Sequence, residues 1–264
     1  MIDLDAFNRD GFVILRGPEV TRLKADISSA LANRALAALE KEVLFQASLP
    51  SLQSRSFPEI VDHVVAHETA NAVSGRLYRI FAATPEFIAA IADRTILNWV
   101  SALGVNTPVA GTLPILRIDR PKDEWHRTPA HQDWWFSLCS PNCVTVWFGI
   151  GPITQDMGLL EVVPGSHRAG LIRFKRHDNN NPFRPIEDWP EEAFRPVDVA
   201  EDGVLIFSQF LLHRSGFNRS RQTRLSVQLR YNDLMTMQGL ENSFTVKHSA
   251  HVLDEQARLL GENQ

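Results

Sequence analysis

Cysteine is scarce in this sequence: two thiols, Cys139 and Cys143, in 264 residues. Two thiols make no disulfide framework, and one CxxxC pair is too few ligands for a structural zinc site. Two unpaired thiols in a reducing compartment are therefore expected. Long hydrophobic runs are missing as well, since no apolar stretch approaches the roughly 20 residues of a membrane helix. The opening MIDLDAFNRDGFVILRG has no basic region leading into an apolar one, which argues against a signal peptide. A soluble, cytoplasmic protein without membrane contact is the expectation. Nor is there an excess of positive charge: the formal net charge is −4, so nucleic acid is not an expected partner.

What is present is the composition of an ordinary globular chain, 44% hydrophobic and 22% charged, long enough to bury a core without staples. A short capped helix is predicted around Asp5–Asn8, then a strand at Phe12–Leu15. Leu23, Ile27, Leu31, Leu36 and Leu39 recur at helical spacing and predict a helix from Thr21 to about Phe45. Further helical blocks are predicted at about Ile60–Ala83 and Pro85–Leu103. After Leu103 the runs become short, β-branched and separated by turn residues: Thr112–Ile118, Thr145–Ile150, Leu159–Val163, Gly203–Phe207 and Arg224–Tyr231. Such strands suggest a sandwich or barrel. The segment Arg173–Pro196 reads as a long loop, of the kind that serves as a lid or binding loop. No repeat or linker divides the chain, so one domain, 1–264, is expected, helical over about 1–103 and β over about 104–250.

The residues that carry chemistry begin at Ala130-His131-Gln132-Asp133. In an extended segment, side chains two apart share a face, so His131 and Asp133 would converge with Gln132 turned away. His213, after the strand Val204–Phe207, is the best candidate for a third ligand. Two histidines and a carboxylate leave coordination positions open, which suits Fe(II) with a chelating co-substrate and O₂. Catalytic zinc uses the same ligand types, so ligand identity leaves the metal open. Arg224 follows His213 by eleven residues and opens a strictly alternating run. Arg224, Ser226, Gln228 and Arg230 share one face; Leu225, Val227, Leu229 and Tyr231 share the other. If the polar face points inward, Arg224 needs an anion, and the distal carboxylate of 2-oxoglutarate would supply one.

These residues resemble the phytanoyl-CoA dioxygenase family of Fe(II)/2-oxoglutarate-dependent oxygenases. The resemblance runs from FNRDGFVILRG at 7–17 through HQD at 131–133 and MGLLEVVPGSHRAG at 157–170 to HRSGFNRSRQTR at 213–224. It implies a mainly β fold with flanking α: a double-stranded β-helix (jelly-roll, cupin-like) core with N-terminal helices packed on the major sheet. It implies Fe(II) held by His131, Asp133 and His213, and a salt bridge from Arg224 to the C5 carboxylate of 2-oxoglutarate. Ser215 matches a position that hydrogen-bonds the same carboxylate, and Trp147 matches a tryptophan lining that pocket. The implied reaction oxidises a C–H bond of a small-molecule metabolite with O₂, while 2-oxoglutarate gives succinate and CO₂. Hydroxylation is the first expectation; ring closure, desaturation or epimerisation by the same iron chemistry is the alternative. Halogenating relatives lack the carboxylate, so Asp133 disfavours halogenation. A cupin-type isomerase or lyase without O₂ is a further alternative, but it would give Arg224 no diacid to bind. An intact ligand triad argues against a non-catalytic binding module.

Other residues are read alongside. Arg117 interrupts an apolar strand and wants an anion, met by 2-oxoglutarate, by substrate or by an internal salt bridge. His126 and Thr128 precede the HxD segment closely enough to touch substrate or co-substrate. Among Trp134, Trp135 and Phe136, at least one is expected at the mouth of the site, with Trp135 the candidate substrate contact. His167, in the PGSH turn, is read as structural. The basic stretch Arg168–His177, with Arg173, Lys175 and Arg176, is a candidate lid for an anionic substrate, and Arg173 its candidate contact.

Overall fold

Helix caps and one continuous apolar stripe order the N-terminal part. In the computed structural model, which describes residues 2–67, 81, 84–111, 114–136, 140–176 and 183–236, Asp3 caps α1 (Leu4–Asp10), accepting from the Ala6 amide at 2.9 Å. β1 (Phe12–Arg16) follows. α2 (Pro18–Leu39) starts three residues before the predicted Thr21, because Pro18 is preorganised for a first helical turn. It stops at Leu39 rather than Phe45, and Val43–Phe45 forms a separate 3-10 turn. Its buried stripe includes Leu23, Ile27, Leu31, Ala35 and Leu39. Beyond the short α3 (Leu49–Leu52), α4 (Phe57–His67) buries Phe57, Ile60, Val61 and Val64. The remainder of the block predicted to Ala83 lies mostly outside the described residues. The block predicted at Pro85–Leu103 is divided into α5 (Pro85–Ala89) and α6 (Arg94–Ala102), because Asp93 caps the latter by accepting from Thr95 and Ile96 amides. No helix among the described residues is long and apolar enough to cross a membrane.

The remaining strands are β2 (Pro108–Ala110), β3 (Ile115–Asp119), β4 (Cys143–Gly149), β5 (Leu160–Val162), β6 (Phe174–Arg176), β7 (Phe183–Pro185), β8 (Arg195–Val197), β9 (Gly203–Ser208), β10 (His213–Ser215) and β11 (Arg224–Asp233). A major sheet runs β1-β9-β4-β11-β2, with β3 also paired to β11; a minor sheet runs β10-β5-β8. The registered pairs within both are antiparallel. The fold is a jelly-roll core, mainly β, with helices outside the major sheet. The stretch expected as a loop at Arg173–Pro196 instead contains the hairpin β6–β7 and reaches into β8. Its prolines and short alternations masked strands of three residues each.

Alternation along the major sheet assigns each side chain its neighbours. Val144, Val146, Phe148, Leu225, Val227, Leu229 and Tyr231 join the helix residues in one apolar cluster. The opposite face of β4 gives Trp147 to a second cluster, between the sheets, with Leu160, Val162, Leu205 and Phe207. Each fully buried side chain such as Leu31 or Phe148 contributes about 1.5–3 kcal/mol. The helices thus cover one face of the major sheet, and the polar face of β11 turns inward.

A close backbone approach joins the start of β5 to the end of β10. Gly158 has φ +76°, and a Cβ there would lie 2.5 Å from the carbonyl carbon of Gly216. Gly104 also has positive φ, +91°, but a Cβ there meets nothing. Gly158→Ala should therefore cost about 2–4 kcal/mol, from strain plus overpacking. Gly104→Ala should cost about 1 kcal/mol. Thermal melts of the two variants check this; equal losses would show that the approach to Gly216 is not limiting.

Candidate metal centre

The minor sheet brings the histidines together. His131 and His213 face each other in an antiparallel bridge, with backbone N–H to O distances of 2.9 and 3.0 Å. Their rings lie 4.2 Å apart. Each ring is turned the same way by its own backbone: His131 Nδ1 lies 2.9 Å from Pro129 O, and His213 Nδ1 lies 3.0 Å from Leu211 O. A carbonyl only accepts, so each Nδ1 carries a proton and donates it backward, which leaves each Nε2 turned toward Asp133. Asp133 Oδ1 sits 3.4 Å from His131 Nε2 and 3.8 Å from His213 Nε2. One ligand atom from each of the three buried residues lies within 4.8 Å of the others.

Asp133 reaches this point by a turn. Only His131 is in the extended bridge, and Asp133–Phe136 forms a 3-10 turn. Gln132 does turn away, into a clamp that sequence reasoning missed. Its amide nitrogen donates to Gly170 O at 2.9 Å and Phe210 O at 2.6 Å, and its oxygen accepts from Trp135 Nε1 and the Ile172 amide.

The two oxygens of Asp133 have different partners. Thr145 Oγ1 donates to Oδ2 at 2.6 Å, and Arg230 Nη2 donates to Oδ1 at 2.6 Å. Burial alone would raise the Asp133 carboxyl, but the Arg230 guanidinium and the two imidazoles hold it well below the usual carboxylate range. Burial drives His213 the other way, down to about 3, with His131 adding to the shift, so its ring is neutral at physiological pH. Two imidazole nitrogens and one ionised carboxylate, oriented from behind, fit a divalent first-row ion with positions left open.

Arg224 is buried on the inward face, and its partner is Asp119: Nη2 and Nε lie 2.9 and 3.3 Å from Oδ2. Its Nη1 also donates to Gly158 O. Arg117 reaches the other oxygen of the same carboxylate at 2.8 Å, so an internal salt bridge engages it. Burial would raise Asp119, but these two guanidiniums hold it down and ionised. Ser215 is buried in β10, its amide donating to Thr128 O at 3.0 Å. Thr128 is buried too, and its Oγ1 has no hydrogen-bond partner among the described residues. Trp147 shares its strand face with Thr145, the face that meets Asp133.

Other expectations need correcting. Trp135 has no exposed surface; Gln132 holds its Nε1 and Phe174 packs on its ring, so it supports the site from beneath and does not border a mouth. Arg173 is 62% exposed and faces Glu187 at 3.7 Å. Lys175 lines a cleft with Arg184 and Arg214, but Glu187, Asp188 and Glu191 line it too, so this segment does not present a uniformly basic lid. His177 and Cys139 lie outside the described residues. His126 pairs with Asp123 at 2.7 Å. His167 lies against Gly11 and Leu211, outside the ligand cluster.

Comparison with known proteins gives the same direction. A family model described as phytanoyl-CoA dioxygenase matches residues 7–226. The peroxisomal phytanoyl-CoA dioxygenase of Homo sapiens is 30% identical over 127 residues, 43% of this chain and 37% of that protein. The phytanoyl-CoA dioxygenase of Arabidopsis thaliana is 30% identical over 102 residues, 38% of this chain and 36% of that protein. The chain thus spans little more than a third of the length of these curated relatives. Among solved structures, EctD from S. alaskensis with 2-oxoglutarate and 5-hydroxyectoine has a TM-score of 0.58 at 17% identity, covering 94% of this chain and 82% of that one. The non-heme monooxygenase ThoJ has a TM-score of 0.56 at 18% identity, covering 88% and 77%. Both share the fold.

Fe(II) added without oxygen should raise the melting temperature, by an amount equivalent to about 2.7 kcal/mol when the metal is at one hundred times its Kd. His131→Ala and His213→Ala should each lose most of that shift. If both variants keep it, the ion binds elsewhere.

Proposed function

The chain belongs to the phytanoyl-CoA dioxygenase family, and from that premise we propose that it is an Fe(II)- and 2-oxoglutarate-dependent oxygenase acting on a small molecule. The observation that carries the reading is the convergence of His131 Nε2, His213 Nε2 and Asp133 Oδ1 beside an inward face that also bears Arg224. His131, Asp133 and His213 hold the iron. Bound there, Fe(II) supplies the redox chemistry that uses O₂ to couple decarboxylation of 2-oxoglutarate, to succinate and CO₂, with oxidation of a substrate C–H bond.

The chain's own residues have four tasks. The carbonyls of Pro129 and Leu211 keep both imidazoles in the ligating tautomer. Thr145 and Arg230 keep Asp133 ionised and oriented. Arg224 receives the distal carboxylate of 2-oxoglutarate, with Ser215 and Trp147 beside it. Support for that assignment is the burial of Arg224 on the inward face, where the carboxylate it meets, Asp119, also serves Arg117. A buried guanidinium that shares its counter-ion can take a second, and the distal carboxylate is one. The two sheets then exclude water from the reacting atoms. The helical part and the β core act together as one oxygenase domain, a reading supported by the apolar cluster they share. Asp133 fills the position that halogenating relatives leave to halide, so oxidation without halogen transfer is the proposed outcome.

Purified protein with Fe(II), ascorbate and 2-oxoglutarate should release succinate in an iron-dependent way. Arg224→Ala should raise the KM for 2-oxoglutarate about 10- to 100-fold, the worth of a lost charge-assisted hydrogen bond. Iron-independent behaviour with no succinate would favour the O₂-free cupin chemistry. Once a substrate is found, the product mass separates the outcomes: gain of one oxygen for hydroxylation, loss of two hydrogens for ring closure or desaturation, no change for epimerisation.

A further inference from the structure

Arg230 has more positive charge and more donors than the metal centre alone employs. It shares the inward face of β11 with Arg224, six residues away, which at roughly 3.4 Å per residue separates them by about 20 Å along the strand. The two therefore serve different ends of the inner face. Arg230 is 6% exposed, and its Nη2 meets Asp133 Oδ1 at 2.6 Å and Gln228 Oε1 at 3.2 Å. Its Nε is buried with no hydrogen-bond partner among the described residues. Two residues further along the same face is Asn232, with no exposed surface and with neither its amide oxygen nor its nitrogen partnered among the described residues. Buried polar groups are nearly always satisfied, so orphaned donors and acceptors on one inward face call for a partner that the described residues do not provide.

Charge leads to the same place. A divalent ion on the three ligands would share the Asp133 carboxylate with Arg230. Ion and arginine together carry three positive charges against one negative on Asp133. The keto-acid end of 2-oxoglutarate brings one more negative charge, and its other carboxylate is taken up by Arg224. One positive charge is left over, in a buried place where uncompensated charge is strongly unfavourable. Beside it stands an apolar surface: the Phe136 ring is 5.9 Å from the guanidinium carbon, packs edge-on against His131 at 5.6 Å, and is itself half-buried.

We propose that Arg230, with Asn232 next to it on the strand, is the anchor for an acid group on the oxidised substrate, so that this enzyme takes a small organic acid whose apolar body lies against Phe136. The inference rests on the iron and 2-oxoglutarate reading above and narrows its substrate class. The same carboxylate chemistry has two sources, the substrate and the keto-acid end of 2-oxoglutarate, and the test separates them.

The test follows binding, without turnover. Under anaerobic conditions the Fe(II) protein is titrated with 2-oxoglutarate, watching the visible absorption of the iron–keto-acid complex, and then with hexanoate and benzoate beside hexanamide and benzamide. In the wild type the acids should perturb the band saturably, and the amides should bind at least tenfold more weakly. Arg230→Met, in which Asp133 also loses one of its two grips, should weaken acid binding at least tenfold more than it weakens 2-oxoglutarate binding. Arg230→Lys, which keeps the charge and guards against a folding defect, should restore part of the acid affinity. Amides binding as well as acids, or acids binding Arg230→Met undiminished, would overturn the proposal. So would a large rise in the 2-oxoglutarate Kd of Arg230→Met with acid binding intact, which would assign the arginine to the co-substrate. No band in the wild type would overturn the underlying reading itself, and the substrate class with it.

Discussion

Asp133 is a carboxylate with no exposed surface, and keeping it ionised is the constraint around which the centre is built. Two strands supply its grips. Thr145 on β4 and Arg230 on β11 are direct cross-strand partners, and each donates to a different oxygen of that carboxylate. Removing one partner of a buried pair of this kind costs about 3–5 kcal/mol, because it leaves the other charge uncompensated. The register between β4 and β11 is therefore part of the chemistry. A slip of one residue in either strand would turn its own member of the pair, Thr145 or Arg230, toward the helices and put apolar side chains against a buried charge.

The same alternation that orders the chemistry also stabilises the scaffold. One face of β4 and β11 gives Val144, Val146, Phe148, Leu225, Val227, Leu229 and Tyr231 to the cluster under α2, α4 and α6. The other face gives Thr145, Trp147, Arg224, Ser226, Gln228 and Arg230 to the space between the sheets. Helix burial on the outer face makes room for a row of buried polar groups on the inner one. Such a row is costly unless each group finds a partner. Most do so within the protein, as Asp119 does with Arg117 and Arg224. Among the described residues, the atoms on the inner face of β11 that do not are at its Arg230–Asn232 end: Arg230 Nε and both amide atoms of Asn232.

The histidines show how little of a metal centre lies in its ligands alone. Their ring orientation comes from the carbonyls of Pro129 and Leu211, each two residues before the histidine it serves. Their separation comes from the bridge between the HxD segment and β10. Gln132 then ties the segment to the backbone at Gly170 and Phe210, so the ligand loop is held from both sides. Orientation from behind is what leaves the front of such a site open.

By itself the sequence determined a β sandwich or barrel, the alternation of β11 and the candidacy of His131, Asp133, His213 and Arg224, because period, motif spacing and strand polarity are local properties of the chain; the jelly-roll class came with the family resemblance. The starts of α2 and α4 were legible to within three residues, but α2 stops six residues before the predicted Phe45, and Asp93 caps a new helix inside one apolar pattern. Only the tertiary structure decided that Arg224 rests on Asp119, that Arg230 and Thr145 meet Asp133, and that Trp135 lies beneath the site with no surface to offer. Those facts depend on which residue stands across a strand and on a 3-10 turn that begins at the ligand itself. Such pairings bring together residues up to about a hundred positions apart, and the free energy that selects them belongs to the packed sheets rather than to any short stretch of sequence.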